Sequence, residues 1–117
     1  MKTRTSLALG LLGTVIGGIL IYRNHQKWNR EMLYRLARLE ADLLEALRDS
    51  PERRKQIPEN SLVVAIPDFD EDLADQNRKL AKKEGNNYSS VTYCYVMKKA
   101  KGVKIYRIEV VETARKA

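Results

Sequence analysis

Asp68, Asp70 and Asp72 stand at alternate positions and come closest to a metal loop of anything in the chain. A calcium loop of that spacing also needs a glycine at its sixth position and a bidentate glutamate at its twelfth. Leu73 and Lys79 occupy those places, so the pattern fails halfway. The same acids, with Glu71, precede Lys79, Lys82, Lys83 and Gly85. That polarity matches a helix dipole at both ends, and the acids read as the first turn of a helix over 68–84. Nucleophilic chemistry finds no better footing: the single histidine, His25, is far along the chain from the single cysteine, Cys94. There is no CxxC, no HExxH and no phosphate-binding glycine loop, and these are the patterns that hold zinc or cradle phosphate. The chain reads as non-enzymatic, with no catalytic residue, no metal and no cofactor.

Basic residues offer binding chemistry instead. The formal charge is +7, and residues 78–117 hold eleven basic and three acidic side chains. Lys98, Lys99, Lys101, Lys104 and Arg107 form the densest group and are the candidate basic surface. Such a surface suits anionic lipid headgroups or an acidic protein face. Nucleic acid is disfavoured, because no aromatic-and-arginine run marks a platform for stacking bases.

An uncharged run near the start points to a membrane. Ser6 to Tyr22 is seventeen residues without a charge, about 26 Å as a helix and just enough to span. Lys2, Arg4 and Arg23 flank the run, with Tyr22 and Trp28 where amphipathic rings favour the interface. Gly13 and Gly17 make a GxxxG pair, and Gly10, Thr14 and Gly18 a second ladder of small residues, suited to close helix packing within lipid. A cleaved signal peptide is the competing reading, but Ile21-Tyr22-Arg23-Asn24 lacks the small residues that a peptidase requires. Basic residues beyond the run favour an N-terminus outside and a C-terminal part in the cytoplasm or mitochondrial matrix.

The elements that must position these groups follow from periodicity and breakers. Residues 1–22 read as a transmembrane anchor and 23–50 as an amphipathic juxtamembrane helix continuing from it. Met32, Leu36, Leu39, Leu43 and Leu47 lie on one helical face. That face packs on the rest of the chain, docks on a partner helix, or lies on the membrane surface as a basic amphipathic helix. Ser50-Pro51 ends the helix, and 51–60 reads as a charged linker. Residues 61–117 read as a small β-α-β-β domain: an apolar strand Leu62–Ile66, the acidic-start helix, and strands at Val91–Lys98 and Val103–Glu112. Alternation places Tyr93, Tyr95, Tyr106, Ile108 and Val110 on one sheet face, with Thr92, Lys98, Arg107 and Glu109 on an open one.

The expected fold class is therefore α+β: a single transmembrane helix, an amphipathic helix and a small β-α-β-β domain. The expected function is a single-pass, membrane-anchored interaction protein, an accessory subunit or assembly factor of a membrane complex. Its partners would be the lipid bilayer and other membrane subunits, or a second copy of itself. A membrane-tethered basic binding module is the alternative.

Overall fold

A computed structural model of the chain describes residues 15–16 and 30–114. In chain order its elements are β1 (Val15–Ile16), α1 (Arg30–Arg48), α2 (Pro51–Arg54), β2 (Ser61–Pro67), α3 (Glu71–Glu84), a 3-10 turn (Gly85–Asn87), β3 (Ser90–Lys98) and β4 (Val103–Glu112). The class is α+β, and the C-terminal part has the expected β-α-β-β order.

The sheet runs β1-β2-β3-β4, parallel between β1, β2 and β3 and antiparallel between β3 and β4. All seven residues of β2 are buried, as a strand covered on both faces must be, and this explains its unbroken apolar run. Helix α3 ends at the expected Glu84 but starts at Glu71, three residues later than the expected Asp68. Asp70 caps it, its Oδ1 accepting from the Leu73 N–H at 3.2 Å. Midway along, Asn77 donates to the Ala65 carbonyl of β2 at 2.9 Å in the interior. Pro51 stops α1 but also opens α2, so the expected linker 51–60 holds a one-turn helix. Arg54 turns back from it and donates to the carbonyls of Leu47 and Arg48 at 3.1 and 3.2 Å, satisfying acceptors at the end of α1.

Each sheet face carries one helix. Glu40 of α1 is an electrostatic neighbour of Cys94, whereas Arg78 of α3 neighbours Tyr93 and Tyr95, which alternate with Cys94 along β3. Leu36, Leu39, Leu43 and Leu47 of α1 are buried in one core with β2, β3 and β4, and Met32 packs against it in part. The face of α1 that would suit a partner helix is thus covered by the chain's own sheet. This corrects the docking expectation for Met32, Leu36, Leu39, Leu43 and Leu47, and the helix belongs to the folded unit.

A second correction concerns β4. Its register with β3 shifts between Tyr95 and Val96, leaving Tyr106 as an extra residue. From Arg107 onward every side chain therefore changes face relative to simple alternation. Arg107 and Glu109 lie opposite Tyr95 and Tyr93 on the α3 side, while Thr92, expected on an open face, is fully buried.

No described helix is long and apolar enough to cross a membrane. Gly10, Gly13, Thr14, Gly17 and Gly18 lie outside the described residues. Val15 and Ile16 differ from the expected unbroken helix: they are extended and pair in parallel with Leu62 and Val63. Both are β-branched, and the outer edge of β2 offers them a backbone ladder.

Candidate functional site

Three segments remote in sequence converge at the carboxyl ends of β2 and β3. Helix α1 supplies Tyr34, Arg35, Arg38, Leu39 and Asp42; the β2–α3 loop supplies Phe69 and Asp70, with Leu73 behind them; the β3–β4 hairpin supplies Lys98 to Val103. Together they line a cleft of about 550 Å³. Its floor is apolar, from Leu39, Leu73 and Val103, and its walls carry five cationic and two carboxylate side chains.

The carboxylate of Asp70 is already committed. Its Oδ1 caps α3, and its Oδ2 accepts from Arg35 Nη1 at 2.7 Å. One aspartate thereby joins the first turn of α3 to the middle of α1 and fixes one wall. Arg35 Nη2 also donates to Met32 Sδ at 3.6 Å, so this guanidinium is held on both sides. Lys98 places its Nζ 5.3 Å from the centroid of Phe69, a cation–π contact that joins hairpin to loop. The hairpin closes through Lys99 N–H to the Gly102 carbonyl at 3.2 Å. Gly102 has φ +76°, a conformation that only glycine adopts without strain. A Cβ there would come within 4.0 Å of Asp42 Oδ1, so the Asp42 carboxylate lies beside the hairpin.

Of the five basic residues singled out in the sequence, the cleft brings together Lys98, Lys99 and Lys101. Lys104 lines a neighbouring cavity with Ala46, Asp49 and Arg53. Arg107 sits apart on the open part of the sheet, its guanidinium 4.7 Å above the Tyr95 ring and 3.7 Å from Glu109 Oε1. Tyr95 donates to that same carboxylate oxygen at 3.0 Å. Sequence reasoning missed Tyr34, Arg35, Arg38 and Phe69 as site residues. The available signal was Arg35 and Arg38, three apart on the flank of the apolar stripe of α1.

Residues 31–110 match a family model, DUF5647, described as a family of unknown function. The chain belongs to that family. The DUF5647 match runs from the first turn of α1 into β4 and takes in all three walls of the cleft. No curated protein and no solved structure gives a significant match.

Two buried groups lie elsewhere in this DUF5647 unit. Glu40 on α1 is buried with both carboxylate oxygens lacking hydrogen-bond partners, and desolvation pushes its pKa well above the ordinary value. Burial likewise pushes the Cys94 thiol up to about 12, and the Glu40 carboxyl adds to the effect. A thiol held protonated in this way is a poor nucleophile. Among the described residues no group of acids, histidines and cysteines is placed to hold a metal ion.

Proposed function

We propose that this protein is a non-enzymatic binding module held at a membrane by its N-terminal apolar run, and that its basic cleft receives an anionic group. The observation carrying the reading is the convergence of Arg38, Lys99 and Lys101 from two distant segments on one cleft. Like charges brought together repel one another in the free protein, and an anion relieves that repulsion. Arg35 contributes less, since Asp70 already neutralises it. Placement of the cleft at the carboxyl ends of parallel strands agrees with where open α/β sheets receive ligands.

The tether is supported by the seventeen uncharged residues and their charged and aromatic flanks. In this reading Val15 and Ile16 leave the edge of β2 when the run enters a bilayer, because the same residues cannot pair with β2 and lie in hydrocarbon together. The flanking charges favour a domain in the cytoplasm or matrix. A second reading, an accessory subunit of a membrane complex, is favoured by the large apolar side chains that β3 and β4 leave exposed, Met97, Tyr106, Val110 and Val111.

Titration of full-length protein in a neutral detergent with pyrophosphate tests the cleft. Binding that weakens with salt, and falls at least tenfold in the Lys99→Glu, Lys101→Glu double variant while the melting temperature holds, is the expected result. Equal binding by the variant, or no binding by either protein, removes the anion reading.

A further inference from the structure

We infer that the anion received by the cleft is the phosphate end of a mononucleotide, a proposal that rests on the anion-binding reading and specifies its ligand. A bare phosphate would use only the cationic side of the cleft. The remainder is a different chemistry: an apolar floor, and two exposed aromatic residues, Tyr34 at 64% and Phe69 at 42% exposure, the second with Lys98 over one side of its ring. A volume of about 550 Å³ falls within the range of pockets that enclose a ligand of nucleotide size. Aromatic rings beside cationic side chains are the pairing that takes a base and its phosphates, since any base presents a π-face to stack.

The carboxylate of Asp42 decides between a nucleotide and a simple anion or anionic lipid surface. It lies beside Gly102, among Lys99, Lys101 and Arg38, where it works against any ligand that is anionic throughout. A nucleotide also brings hydrogen-bond donors, on its sugar hydroxyls or base amino groups, that a carboxylate accepts. The acids Asp68, Glu71 and Asp72, next to Phe69 and Asp70 in sequence at the start of α3, are exposed. They oppose a flat anionic bilayer on this end of the domain and push a ligand's phosphates away from α3.

Those acids also set the orientation. In a β-α-β unit the phosphate usually sits on the first N–H groups of the helix. Here Asp70 already caps that position by accepting from Leu73 N–H. The phosphates are therefore directed to Lys99 and Lys101 on the hairpin and to Arg38 on α1, and the base to Tyr34 and Phe69.

Parallel titrations of the full chain in neutral detergent with pyrophosphate, ADP and AMP test this. ADP is expected to bind at least tenfold more tightly than pyrophosphate. Phe69→Ala should remove most of that advantage, a loss of about tenfold or more, while leaving pyrophosphate affinity within twofold. Tyr34→Ala, at a highly exposed position, provides a second variant with a minimal folding burden and the same expected pattern. ADP and pyrophosphate binding alike in the wild type overturns the nucleotide inference and leaves the anion reading standing. Failure of all three ligands to bind overturns both.

Discussion

Glu40 is where pH enters the stability of the fold. Its carboxyl is buried without a hydrogen-bond partner and its pKa lies well above 4.5, from desolvation. As pH rises past about 4.5 the unfolded chain releases this proton, while the folded chain keeps it. The unfolded state then binds fewer protons, so stability falls with rising pH until the folded value is reached, by up to about 1.4 kcal/mol per pH unit. Its contribution is fully present only below about pH 4.5. Glu40→Gln removes the titration and keeps the shape. The melting temperature of this variant, relative to wild type, is expected to climb as pH rises above about 4.5 until the folded-state pKa is reached, and a difference flat from about pH 4.5 upward would show that Glu40 ionises freely. A buried glutamate inside an apolar stripe was visible in the sequence only as a charge between Leu39 and Leu43; its burial follows from α1 lying flat on the sheet.

At the scale of elements, α1 changes the picture most. The periodicity of Leu36, Leu39, Leu43 and Leu47 announces an apolar face, but periodicity does not say what meets that face. The answer is long-range: β2, β3 and β4 lie more than a dozen residues further along the chain. Leu43 is fully buried, and Leu43→Ala is expected to cost about 2–5 kcal/mol. In a domain this small that lowers the melting temperature by roughly 10 °C or more, readable by circular dichroism. A loss of only a degree or two would mean that α1 is held by something other than this sheet. Helix α3 and strands β2, β3 and β4 were legible because Pro67, the acidic first turn, Gly85 and Gly102 punctuate them locally. The one-residue shift at Tyr106 carries no such mark, and it moved Arg107 and Glu109 to the opposite face. The cleft was half legible for a related reason: Lys98, Lys99 and Lys101 are neighbours in sequence, whereas Arg38 and Phe69 join them only through the packing of α1 and the Asp70–Arg35 ion pair.

Across the whole molecule the charge is divided by position. An acidic start to α3 lies beside a lysine-rich hairpin, and the cleft between them is closed on its third side by α1. The apolar run precedes α1 by seven residues, numbers 23–29, which extended would reach at most about 25 Å. With the run in a bilayer, as proposed, a domain on so short a tether would stay close to the membrane, and whatever its cleft binds would be held there with it. Membrane attachment is tested by washing membranes from cells that make the full-length chain with alkaline carbonate. The intact chain is expected to stay in the pellet and to be released only by detergent. Recovery of the intact chain in the carbonate supernatant would contradict attachment and would leave Val15 and Ile16 with the edge of β2 as their permanent place.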